Sequence, residues 1–233
     1  MAASVSDLVT RFVLPPAESD DVDGGVAGNS QLTAALGVVL LVALFIEGIT
    51  LVIGVDETLV LHIFIGFLVI PPVVTKIGST AYRMSRYYLG DDRYRRKGPP
   101  HPVLRVIGPL VILSTVALLV TGVAMIVVGG AHSRSWRDWH QTVFIVWVAL
   151  MSLHVLGHLL ETWRLSRDEW APQRPQVAGT AARRSIVLLS VVVGLGLGAL
   201  SIGWTDTWRT AWDAQRQSFH RPFHTAVRES SGT

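Results

Sequence analysis

The sequence predicts an all-α fold: an integral membrane bundle of five transmembrane helices, with spans 1–4 forming an up-down four-helix bundle. Three observations predict it. Half of the 233 residues are hydrophobic and only 16% are charged, whereas soluble domains carry roughly 25% charge. The apolar residues are gathered into five long runs. Lysine and arginine are divided unevenly between the alternating connections.

A helical span needs about 20 apolar residues at 1.5 Å rise each. Runs of that length occupy 32–55, 58–79, 104–128, 139–162 and 185–204. Polar punctuation separates them at Asp56-Glu57, at 80–103, from Gly129 to Asp138, and from Arg164 to Arg184. Trp136 and Trp139 mark one end of the fourth run, Trp163 its other end and Trp204 the end of the fifth, as interfacial aromatic belts do.

The connection between spans 2 and 3, with its flanks, holds eight basic residues, from Lys76 to Arg105. The connection between spans 4 and 5 holds five, and the N-terminal arm adds Arg11. The other side holds Arg134, Arg137 and four arginines of the C-terminal tail. Fourteen basic residues against six predict a cytoplasmic N-terminus and an extracytoplasmic C-terminus. The location expected is a bacterial plasma membrane, crossed several times.

Outside the bundle, residues 1–31 read as a flexible cytoplasmic arm and 205–233 as an extracytoplasmic tail. The transmembrane domain itself is 32–204. In the tail Trp204, Trp208 and Trp212 recur every four residues, so their indoles share one face of a short interfacial helix. His220 and His224 follow at the same interval, which suits a metal in principle, but a polar tail is the simpler setting. Tyrosines interleave with arginine in the basic loop (Tyr82, Tyr87, Tyr88 and Tyr94). That loop is expected to gather anionic lipid head groups of the bilayer. Gly194, Gly196 and Gly198 lie within an apolar run, where small residues allow close helix packing rather than nucleotide binding.

Composition also excludes. There is no cysteine, so disulfides, thiolate metal sites and a cysteine nucleophile are ruled out. The net charge of +3 follows from loop bias and does not require nucleic acid as a partner.

Ionisable residues inside spans are costly and mark function. Here they are Glu47, His62, Lys76, His140, His154 and His158. His140 and His154 are fourteen residues apart, nearly four turns, so they share a face about 21 Å apart along the axis. His62 and Lys76 repeat that interval. Both His62 and His140 follow an acidic outer boundary closely, which sets them at one depth on diagonal helices of the bundle. Two imidazoles facing each other in that way form the axial ligand set of a b-type haem. Gly48, Gly66 and Gly122 would leave room for the macrocycle, and Glu47 would hydrogen-bond a ligand imidazole or carry protons. Singly, each glycine reads as ordinary helix packing and each histidine as a hydrogen-bonded packing residue.

With His62–Gly66 as HxxxG and paired positions fourteen apart on alternate spans, residues 32–162 resemble the bacterial membrane cytochromes b. These include ferric-reductase-like domains and the cytochrome b anchors of formate and nitrate oxidoreductases. The resemblance implies haem b at an outer site held by His62 and His140, and an inner site with His154 as one ligand. It further implies electron transfer within or across the membrane, a quinone, and an oxidoreductase partner subunit. Lys76 departs from the pattern, standing where the second inner ligand belongs, so one outer haem is the expectation. Pro71-Pro72 are expected to kink the inner end of span 2. Two other classes of function compete with the electron carrier. One is a haem-free membrane scaffold or assembly protein. The other is a small transporter in which Glu47, His62 and His140 relay protons or bind a metal ion.

Overall fold

The computed structural model describes residues 24–96, 102–128, 134–170 and 178–219. In chain order the elements are α1 (Gly24–Ile53), α2 (Val55–Leu68), α3 (Ile70–Tyr88), α4 (Asp92–Arg96), α5 (Pro102–Val128), α6 (Arg134–Trp170) and α7 (Thr180–Phe219). No strand occurs among the described residues. Five stretches are long and apolar enough to cross a bilayer: Gly25–Ile53, Val55–Tyr88, Arg105–Val128, Ser135–Leu159 and Thr180–Asp206. They coincide with the five expected runs, and α2 with α3 makes the second.

The surface explains why these helices need lipid. Phe45, Val52, Leu113, Ile145 and Leu195 all stand exposed on the outside of the bundle. In water, apolar patches of that extent drive association. In hydrocarbon they are compatible with the solvent, and helices satisfy their backbone polar groups internally.

Inside, α1 is the hub, packing against α2, α3, α6 and α7, while α5 packs chiefly on α6. Leu40 and Ala43 of α1 meet Ile65, Val69 and Val73 in the central apolar cluster, and Leu119 of α5 closes on it. The second span and α6 each pack on α1, with α7 against the second span and α5 against α6. Trp147 of α6 donates from its indole N–H to the Thr115 hydroxyl of α5 at 2.9 Å.

The expected proline kink is a break between α2 and α3 at Val69, with Pro71 and Pro72 in the first turn of α3. Pro72 has no N–H to give the Leu68 carbonyl four residues earlier. That carbonyl is where α7 comes closest: a Cβ on Gly194 would collide with the Leu68 oxygen. One turn along, a Cβ on Gly198 would lie 2.9 Å from the Phe64 oxygen. Small residues at i and i+4 let the two backbones touch. Gly196 faces open space, so only two of the three glycines serve packing.

Two boundaries differ from the sequence expectation. Helix α1 begins at Gly24, well before residue 32, because its first turns are tied to distant elements. Ser79 of α3 donates to Asn29 Oδ1 at 2.7 Å and receives the Asn29 amide on its carbonyl at 3.2 Å. Arg183 of α7 donates to Gln31 Oε1 at 3.0 Å, to the Thr180 hydroxyl at 2.8 Å and to the Ala178 carbonyl at 2.7 Å. At the other end, the helical stretch after Trp204 continues α7 to Phe219 without a break. The first 23 residues of the expected arm, and His220 and His224, lie outside the described residues.

Candidate functional site

The turn between spans 1 and 2 takes in Thr58, at φ −113° and ψ 17°, and pivots on Gly54, at φ 119°. That backbone region suits glycine. Thr58 closes the turn, its hydroxyl bonding the Gly54 carbonyl at 2.8 Å and the Thr50 carbonyl at 3.1 Å. So tight a hairpin brings the last turns of α1 against the first turns of α2, and Glu47 and Thr50 against His62.

Nδ1 of His62 lies 2.8 Å from Glu47 Oε1 and 3.3 Å from the Thr50 hydroxyl. Thr50, fully buried, donates its own proton to the Glu47 carbonyl at 2.6 Å. Carboxylate and hydroxyl are thus both acceptors toward His62, and the neutral ring carries its proton on Nδ1. His140 repeats the pattern from the other side of the bundle. Its Nδ1 is 3.0 Å from the Thr121 hydroxyl. Thr121 donates backwards to the carbonyls of Ala117 at 2.8 Å and Leu118 at 2.9 Å, so it too accepts from Nδ1–H. The two rings approach edge-on, with centroids 6.4 Å apart and planes at 86°.

Four of the expected site residues therefore gather at the end of the bundle that carries the Gly54 turn: Glu47, His62, His140 and Gly122. A Cβ on Gly122 would press on His140 Cε1 at 3.3 Å, so this glycine makes room for the imidazole itself. At Gly48 and Gly66 open space stands where a Cβ would be. Thr50 and Thr121, which set both tautomers, were missed at the sequence level. Back-bonding threonines in apolar helices are common enough to carry no local signal.

His154 is in a separate place. Its ring tilts against His158 of the same helix at 4.9 Å, and its buried Nδ1 has no hydrogen-bond partner among the described residues. Lys76 turns inward, donating to the Thr33 carbonyl of α1 at 2.7 Å. It ties α3 to α1 rather than extending to the head groups.

At the opposite end, the basic connection is folded rather than loose. Asp91 bonds Arg86 at 2.6 Å and Arg93 at 3.2 Å. The hydrogen bond from Arg93 foremost, and the charges of Arg93 and Arg86, hold its carboxyl below the usual carboxylate range. Tyr94 is buried against Tyr82, rings 6.1 Å apart. Arg105, at the start of the third span, donates to the Tyr88 hydroxyl at 2.6 Å. Arg93, Arg95 and Arg96 are exposed on this collar, Arg95 donating to the Tyr87 carbonyl at 3.4 Å.

Together the fold and this site define a multi-pass, all-helical membrane protein that keeps a carboxylate and two imidazoles at one end and an arginine collar at the other. The chain belongs to the Frag1/DRAM/Sfk1/Cwh43P N-terminal domain family, which it matches over residues 31–215. Comparison with curated proteins and with solved structures finds no match.

That membership corrects the resemblance to the bacterial membrane cytochromes b, and with it the reading as a haem-b electron carrier. The physical reason is the nature of the signal. An HxxxG and a fourteen-residue interval report a helix face and a depth, which any bundle with inward polar residues can share. The quinone and the oxidoreductase subunit came with that resemblance and have no footing apart from it; of the expected location, a membrane crossed several times is what the five spans support.

Proposed function

We propose that the chain is a haem-free membrane scaffold that gathers anionic lipid head groups on the arginine collar at the end of its second span. The observation that carries this reading is the way the collar is built. Asp91 pins Arg86 and Arg93, Tyr82 packs on Tyr94, and Tyr88 holds Arg105. The α2–α3 span and α5 thereby present Arg93, Arg95 and Arg96 from a preformed surface, with little further ordering to be done on binding. Each basic side chain at an anionic membrane surface contributes about 1 kcal/mol. Lys/Arg bias supports the collar on the cytoplasmic side, with the N-terminus inside and the C-terminus outside.

The test is native mass spectrometry of the protein released from vesicles containing both anionic and zwitterionic lipid. Anionic lipid retained selectively by the wild type, and largely lost in an Arg93→Gln/Arg95→Gln/Arg96→Gln variant with unchanged thermal stability, supports the proposal. Equal retention of both lipid types overturns it.

A further inference from the structure

We infer that Glu47, His62 and His140 form an intramembrane site for a late first-row transition-metal cation, bound through the Nε2 atoms of the two histidines. The first ground is the tautomers. Glu47, Thr50 and Thr121 hold both Nδ1 protons, which leaves the lone pair of each neutral ring on Nε2. The hydrogen bonds of His62 run from Nδ1 alone, while His140 meets the Thr121 hydroxyl through Nδ1 and also bonds the Leu118 carbonyl. A histidine whose Nδ1–H is given to a carboxylate and whose Nε2 is free has the outer-shell arrangement that orients and strengthens a metal-binding imidazole.

The second ground is distance. An ion midway between the rings would sit at half of 6.4 Å, or 3.2 Å, from each centroid. A metal–nitrogen bond of about 2.0–2.1 Å added to an imidazole radius of about 1.1 Å gives roughly 3.1 Å. The centroid spacing thus matches that of two imidazoles sharing one ion.

The third ground is charge. Glu47 Oε2 is buried without a hydrogen-bond partner, and no Lys or Arg pairs with this carboxylate among the described residues. A buried carboxyl oxygen left without a donor is costly, and a cation bound beside it would relieve that cost. No three ligand-type side chains converge to encircle an ion among the described residues. The site accordingly supplies two imidazoles, with Glu47 behind His62 and further coordination positions left open. Open positions suit an ion that is passed on or that binds another ligand. With no cysteine in the chain, imidazole selects the class of metal.

The test uses the full-length protein in detergent, stripped with chelator and titrated with Zn²⁺ and separately with Cu⁺ against chromophoric competitors. Expected is one equivalent of at least one of the two ions, retained in a His220→Ala/His224→Ala variant. Binding should vanish in His62→Gln and in His140→Gln, and weaken about 10- to 100-fold in Glu47→Gln. Should either histidine variant fail to fold, X-ray absorption of the loaded wild type decides, with two imidazoles near 2.0–2.1 Å expected. The inference is overturned if neither ion binds the wild type. It is also overturned if binding survives in both histidine variants, if it is lost with the tail histidines, or if absorption shows no imidazole pair.

Discussion

The carbonyl oxygen of Leu68 abuts the α-carbon of Gly194, backbone against backbone, where Pro72 has no N–H to occupy that oxygen. This contact sets the approach of α7 to the second span. Gly194→Leu should destabilise the bundle by about 2 kcal/mol, since the obstacle is main chain and cannot rotate aside. Gly196→Leu should be close to neutral, because its side faces open space. Thermal unfolding of both variants in detergent separates the two outcomes.

Thr50 is the buried bridge between the Gly54 turn and His62. Thr50→Val keeps the shape but removes the bond to His62 and the back-bond to Glu47. A loss of about 1–2 kcal/mol is expected, recovered in large part by Thr50→Ser. Equal melting temperatures for the valine and serine variants would show that the hydroxyl contributes nothing.

Arg183 binds Gln31, Thr180 and Ala178 from a buried position. Arg183→Met should cost about 2–3 kcal/mol and loosen the start of α1 in particular. Hydrogen exchange of residues 24–31 rising ahead of residues 40–50 is the expected signature.

The collar should open in acid. The folded-state pKa of Asp91 is depressed by its bond to Arg93, so its stabilising effect is present above the unfolded carboxylate value, about 3.9. That effect is lost as pH falls through the lower folded value. Exchange protection of residues 89–96 should hold at pH 6 and decline below about pH 4. In Asp91→Asn the protection should be low at both pH values.

Much of this architecture could be read directly. The five spans follow from run length, and the level of His62 with His140 follows from helical period and a shared distance from an acidic boundary. Gly194 and Gly198 were legible as packing residues because small side chains inside apolar runs have few other uses. The start of α1 was not legible. Residues 24–31 are polar and glycine-rich, and their helix depends on Ser79 and Arg183, some 50 and 150 residues away. The threonines that orient the imidazoles were hidden for a related reason, since their role exists only once α1 meets α2 and α5 meets α6. The cytochrome reading shows the limit from the other direction. Period and depth located a polar pair correctly, yet neither carries the identity of what the pair serves.

The tight turn at Gly54 also bears on how the protein is made. With so short a turn between α1 and α2, and Thr58 bonding the Thr50 and Gly54 carbonyls, the two helices are expected to settle in the bilayer together. They must enter as one hairpin, tip first, with Asp56 and Glu57 drawn through the hydrocarbon by the combined apolar length of both arms. Lengthening the turn with a flexible glycine–serine insert would uncouple the two insertions and strand molecules with only one arm embedded.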